Sequence, residues 1–224
     1  MKLSVIMPVF NEAKTLPIIL KKVLNVPLVK EVIVVDDGSI DETPRILEKF
    51  RDHNDIKLIR HEFNQGKGMA VRSALDQICG EIVIIQDADL EYDPEDYPKL
   101  ISPIADGRYR VIYGTRRGPY HLYLSYYWGA RMLTMLTNIM YRQKLTDMTT
   151  CYKVFDATVL KSISLESKGF AFDPEVTAKV ARQGIVIGEV PVSYQPRTFA
   201  EGKKIRWVDG VMAFWTLVKY RFTD

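Results

Sequence analysis

Short β-branched runs alternate with amphipathic stretches through the first half of the chain. Residues 4–9, 32–35, 56–60, 81–86 and 111–114 carry the near-continuous apolar composition of strands buried on both faces. Between them, residues 13–24, 42–50, 67–78 and a stretch starting near Pro94 place apolar side chains at helical spacing. This βαβα rhythm predicts an α/β fold with a mostly parallel sheet and helices on both faces. Beyond Arg117 the rhythm breaks into an aromatic-rich segment (120–141), a mixed region to Gly184, a strand at 185–192 and a final helical stretch. Residues 122–141 and the C-terminal stretch read as amphipathic helices, and residues 195–204, with Pro196 and Gly202, read as a loop.

Open parallel sheets bind ligands at the carboxyl ends of their strands. Each polar cluster of the first half falls at such an end: Asn11-Glu12, Asp36-Asp37-Gly38-Ser39, Asn64 to Gly68, and Asp87-Ala88-Asp89. The pattern therefore predicts one cleft built from four strand ends. The two carboxylates of Asp87-Ala88-Asp89 are hard oxygen donors suited to Mg²⁺ or Mn²⁺, with phosphates and water completing the shell. A lone Asp-x-Asp also reads as a turn with capping acids. Asp36 can accept from a base or ribose, whereas Asp41 reads as a helix cap. Gly66, Lys67 and Gly68 open a helix, where free amides and the helix dipole favour anions. Neither a Gly-x-x-x-x-Gly-Lys-Ser/Thr loop nor a Gly-x-Gly-x-x-Gly fingerprint is present, which argues against P-loop and dinucleotide readings.

Composition narrows the picture further. At 224 residues and 47% hydrophobic, the chain suits one domain spanning 1–224. A net charge of +3 gives no global field for nucleic acid. Cations do cluster at Arg108, Arg110, Arg116 and Arg117, and again at Arg197, Lys203, Lys204 and Arg206. Cys79 and Cys151 form no Cys-x-x-Cys pair, so a reduced cytoplasmic setting is expected. The apolar run at 3–10 meets Asn11 and Glu12 at once and reads as a strand, not a signal peptide. The longest apolar run near the C-terminus, 211–218, is too short to cross a bilayer.

Taken together, Pro8-Val9-Phe10-Asn11-Glu12, Val35-Asp36-Asp37-Gly38-Ser39, Asn64-Gln65-Gly66-Lys67-Gly68, Gln86-Asp87-Ala88-Asp89-Leu90 and Tyr113-Gly114-Thr115-Arg116 make the sequence resemble family 2 glycosyltransferases of the GT-A fold, and in particular their dolichyl-phosphate mannose synthase branch. The resemblance implies a nucleotide-sugar-binding half (1–117) and an acceptor half (118–224). It implies nucleotide contacts from Pro8, Phe10, Asn11, Glu12, Asp36, Asp37, Gly66, Lys67, Asp87 and Ala88. It implies metal ligation by Asp87 and Asp89, with Glu91 as a third ligand. It also implies that Arg197 meets the donor pyrophosphate and that Arg116, Arg117 and Lys203 face the acceptor. The branch leads to inverting hexosyl transfer from GDP-mannose to a polyprenyl or dolichyl phosphate, with the aromatic helices lying on the cytoplasmic face of a membrane or against a second subunit. A UDP-glucose-dependent transferase is one alternative and transfer to a soluble or protein-linked hydroxyl another; for a hydroxyl acceptor Asp147 or Asp173 would serve as base. A catalytically silent nucleotide-binding subunit and a sugar-nucleotide pyrophosphorylase are the remaining readings.

Overall fold

The computed structural model describes residues 2–116, 124–198 and 207–223. Its strands are β1 (Leu3–Val9), β2 (Val29–Asp36), β3 (Ile56–Arg60), β4 (Ile82–Ile85), β5 (Val111–Arg116), β6 (Lys153–Asp156) and β7 (Ile187–Val192). They form one seven-stranded sheet in the order β3-β2-β1-β4-β6-β5-β7. All neighbours run parallel except β6, which is antiparallel to both β4 and β5. The α/β expectation therefore holds, and the sheet is mixed at one place. That place lay inside the region the sequence pattern left undivided.

Because side chains alternate across the pleat, each inner strand feeds two cores. Ile6, Ile33, Val35, Val83 and Ile85 face one side. There they meet α3 (Lys67–Ala74), α5 (Leu124–Tyr141), α6 (Ala157–Ser162), α7 (Phe172–Arg182) and α8 (Trp207–Phe222). Val5, Met7, Val32, Val34 and Ile84 face the other, against α1 (Leu16–Leu24), α2 (Thr43–Glu48) and α4 (Tyr97–Ala105). Double-sided burial explains why these strands read as continuous apolar runs. The helix expected at 67–78 stops at Ala74 and tightens into a 3₁₀ turn, Leu75–Gln77.

The two aromatic helices pack one face on the core through Leu133, Tyr141, Ala213, Leu217 and Tyr220, and Tyr141 Oη donates to the Leu217 carbonyl. Trp128, Met132, Met135 and Ile139 of α5 remain exposed, as do Trp207, Trp215 and Phe222 of α8. Among the described residues no helix is long and apolar enough to cross a membrane.

Candidate active site

The carboxyl ends of β1, β2 and β4 open onto a cavity of about 970 Å³. Its floor includes Pro8 near the end of β1, Phe10 and Glu12 after it, Asp37 after β2, and Asp87, Ala88, Asp89 and Glu91 after β4. Gly66 and Lys67 at the start of α3, Arg116 at the end of β5, and Arg197 also reach it. Two of the expected nucleotide residues, Asn11 and Asp36, do not line it. Arg117 and Lys203 lie outside the described residues.

The Asp87–Asp89 segment is held from behind. Gln86 is fully buried, and its side-chain oxygen accepts from Tyr97 and Tyr152, both at 2.7 Å, while its amide donates to the Asp87 carbonyl. One residue after the pair the backbone turns left-handed at Leu90 (φ 65°), a conformation a branched side chain enters only when its surroundings impose it. The Asp89 carboxylate accepts the Glu91 N–H across that turn. A short strand, a clamped glutamine and a strained turn thus aim both carboxylates into the cavity.

Each carboxylate already faces a cation. Lys67 Nζ reaches the two Asp87 oxygens at 2.8 and 2.9 Å. Arg197 pairs with both oxygens of Glu12 at 3.0 and 3.1 Å and reaches Asp89 at 3.2 Å, leaving its buried Nε without a hydrogen-bond partner. Glu91 is spent differently from the third-ligand expectation: it accepts from Tyr194 Oη at 3.0 Å and from the Arg197 N–H at 2.8 Å. Among the described residues no three His, Cys, Asp or Glu side chains converge as metal ligands. Four carboxylates (Glu12, Asp87, Asp89 and Glu91) therefore meet two cations. Burial first, then the charges of Asp87 and Glu91, push the Asp89 carboxyl up to about 7 against the pull of Arg197. For Asp87, burial raises the carboxyl, but Lys67 more than offsets it and holds it below the ordinary range. An excess of negative charge on hard oxygens fits a divalent cation held by one or two carboxylates, with the remaining positions left to phosphate and water.

Other expected residues have structural partners. Asp36 takes the Ser39 N–H on one oxygen, and its other, buried oxygen, without a hydrogen bond, lies 3.4 Å from Arg60 Nε. Asp37 accepts from the Gln65 and Gly66 amides and pairs with His61. Asn11 ties the first two strand ends together, its N–H to Ser39 and its oxygen to the Ile40 N–H. Gly66 and Gly68 are required by packing: a Cβ on either would lie 2.6 or 2.1 Å from a carbonyl oxygen of Lys168 or Ser167. The 167–168 backbone also takes the Met69 N–H, so part of the presumed anion-binding helix start is already engaged.

Arg116 was expected to meet an acceptor phosphate. Its guanidinium instead forms a two-pronged pair with Asp147 at 2.6 and 2.7 Å, donates to Thr149, and lies over the Tyr194 ring. Of the two carboxylates considered as bases, Asp147 is thus sealed behind Arg116, at 1% side-chain exposure. Asp173 lines the cavity, with Lys153 Nζ on one oxygen at 2.7 Å. The sequence pattern missed Tyr194, Lys153 and His61. A lone tyrosine after a strand and a lysine within one carry no motif.

Residues 4–164 match glycosyl transferase family 2. The chain belongs to that family. A curated relative, the undecaprenyl-phosphate mannosyltransferase of Micrococcus luteus, is 28% identical over 215 residues, covering 91% of this chain and 87% of its own. Glucosyl-3-phosphoglycerate synthase of Mycobacterium tuberculosis superposes on all of this chain. One of its structures, with Mn²⁺, UDP and phosphoglyceric acid, has a TM-score of 0.77 at 18% identity over 79% of that chain. Another, with Mn²⁺, UDP-glucose and glycerol 3-phosphate, has a TM-score of 0.76 at 21% identity over 81% of that chain. This family member is a glycosyltransferase of the GT-A fold.

The branch expectation is corrected here. The superposing enzyme holds UDP or UDP-glucose together with phosphoglyceric acid or glycerol 3-phosphate, so assignment to the dolichyl-phosphate mannose synthases, with GDP-mannose as donor, a lipid phosphate as acceptor and a membrane-surface role, is withdrawn. Most of the motifs that carried the resemblance gather around the acidic pair and the helix start beside it, and carboxylates with a lysine suit a metal-bound diphosphate whatever sugar is attached to it.

Proposed function

We propose that this protein is a divalent-metal-dependent, inverting glucosyltransferase that uses UDP-glucose and glucosylates a hydroxyl of a small phosphorylated acceptor. The observation that carries the proposal is the Asp87–Asp89 pair at the end of β4, flanked by Lys67 and Arg197 on the floor of the cavity. The M. tuberculosis complexes with Mn²⁺, UDP-glucose and glycerol 3-phosphate support the choice of metal, donor and acceptor class.

When bound at Asp87 and Asp89, Mg²⁺ or Mn²⁺ would neutralise charge building on the departing diphosphate. Lys67 and Arg197 are the cations at hand for the remaining phosphate oxygens, and for this Arg197 exchanges its contacts with Glu12 and Asp89. A hydroxyl acceptor needs a base. Asp173 has one oxygen fixed by Lys153 and borders the cavity, so it takes the hydroxyl proton. The acceptor oxygen then attacks the anomeric carbon from the face opposite UDP, which inverts that centre.

The test uses purified protein with UDP-glucose or GDP-mannose, Mn²⁺ or chelator, and three acceptors: 3-phosphoglycerate, glycerol 3-phosphate and a short polyprenyl phosphate. Metal-dependent transfer from UDP-glucose to 3-phosphoglycerate or glycerol 3-phosphate supports the proposal, with Asp89→Ala lowering kcat by about 10²–10³. Transfer only to the polyprenyl phosphate, or only from GDP-mannose, overturns it.

A further inference from the structure

Behind the cavity floor, Asp37 and Gly66 of the expected nucleotide set are joined to His61 and Ser73, which the sequence pattern does not single out. His61 follows β3 and is 8% exposed. Its Nδ1 lies 2.7 Å from Asp37 Oδ1, and its Nε2 lies 2.9 Å from Ser73 Oγ in α3. A carboxylate only accepts, so Nδ1 is the donor in the first contact. Asp37 is 3% exposed and spends its oxygens on two backbone amides, Gln65 N–H at 2.9 Å and Gly66 N–H at 2.7 Å. Gly66 sits at φ 90° and is followed directly by Lys67, whose ammonium meets Asp87.

Asp, His and Ser here follow the order of a hydrolytic triad, but the surroundings do not match one. Ser73 lies within a helix whose amides bond along their own backbone, so no pair of free donors faces its hydroxyl, and Ser73 does not line the cavity. The same contacts do fix a loop. The path runs from Ser73 through His61 and Asp37 to two amides, and from those into the lysine that holds one carboxylate of the pair.

We infer that His61 and Ser73 are positioning residues for the 64–67 loop, setting where Lys67 stands against Asp87 and so how tightly the donor diphosphate is held. This rests on reading the Asp87 end of the cavity as the donor site. A buried carboxylate that loses its ring partner is left to hold two amides alone, and the loop relaxes. Because Lys67 faces the diphosphate both as the donor binds and as it departs, this relay acts on kcat/KM for the donor and not on the acceptor.

Amide exchange followed by NMR on the protein without ligand provides a readout independent of any substrate. In His61→Leu the Gln65 and Gly66 amides should exchange about tenfold faster, and kcat/KM for UDP-glucose with Mn²⁺ should fall about tenfold while the KM for the acceptor stays within about twofold. His61→Asn, which keeps an N–H directed at Asp37, should return both towards wild type. Ser73→Ala, which removes only the outer contact, should shift both about two- to threefold and serves if His61→Leu fails to fold. Unchanged amide exchange in folded variants overturns the relay, as does an unchanged kcat/KM for UDP-glucose. Faster amides without turnover of UDP-glucose in the wild type would sustain the relay while sinking the proposed function.

Discussion

Arg116 and Asp147 show how a residue's role is decided by what stands opposite it. Burial alone would raise the Asp147 carboxyl, but the Arg116 guanidinium more than offsets it and holds the group below the usual carboxylate range. The folded protein therefore releases this proton more readily than the unfolded chain. The pair's contribution is complete above the unfolded carboxylate value of ~3.9 and is lost as pH falls through the lower folded value. Asp147→Asn should cost about 3–5 kcal/mol at pH 7, because it leaves a buried guanidinium uncompensated. Urea unfolding between pH 7 and 3 should show wild type losing more stability on acidification than the variant; parallel curves would refute the assignment. Lys153 makes the complementary point. It is fully buried within β6, with its ammonium on the carbonyls of Met148 and Thr150 and on Asp173. A charged residue inside a four-residue strand interrupts the apolar run by which strands are recognised, so β6 was illegible until those partners were assembled around it.

Among the elements, α5 and α8 each carry a glycine, Gly129 and Gly210, that lines the cavity with no atom of the described residues within 4 Å of an added Cβ. A helical glycine costs about 1 kcal/mol relative to alanine, and nothing in the packing demands it at either place. Open space on the ligand side accounts for both. Gly129→Ala and Gly210→Ala should each raise stability by about 0.5–1 kcal/mol in thermal unfolding, while the KM for the phosphorylated acceptor rises and that for UDP-glucose stays put. An increase in stability with acceptor KM unchanged would mean that the space is not used. At α3 the lesson is reversed. The glycines of Asn64 to Gly68 were legible as a special turn, but the reason for them was not, because the 167–168 backbone that crowds them is a hundred residues away in sequence.

At the scale of the whole molecule, the strand order binds the two halves together. β5 belongs to the half that ends at residue 117, yet both its neighbours, β6 and β7, come from the other. A fragment of residues 1–117 would leave β5 without partners and β4 with an unpaired edge. The fragment should lack the dispersed amide spectrum of a folded protein, whereas the full chain should unfold in one transition. A well-folded fragment would restore the two-part division drawn from the sequence.

The sequence by itself determined the alternation of strands and helices, the strand ends at which chemistry gathers, and the family, because two-faced burial and the acidic pair after β4 are local patterns. It did not determine which acids face ligand and which face protein. Asp36, Asp37, Asp87, Asp89, Asp147 and Asp173 are all plausible ligands as letters. Only the tertiary structure gives Asp147 to Arg116 and, at the cavity's own edge, ties Asp37 to His61 and two amides, while Asp87, Asp89 and Asp173 line the cavity. A carboxylate's work is set by the nearest cation or N–H. In this fold those partners come from strands and loops distant in sequence, brought together by the order in which the sheet is laid down.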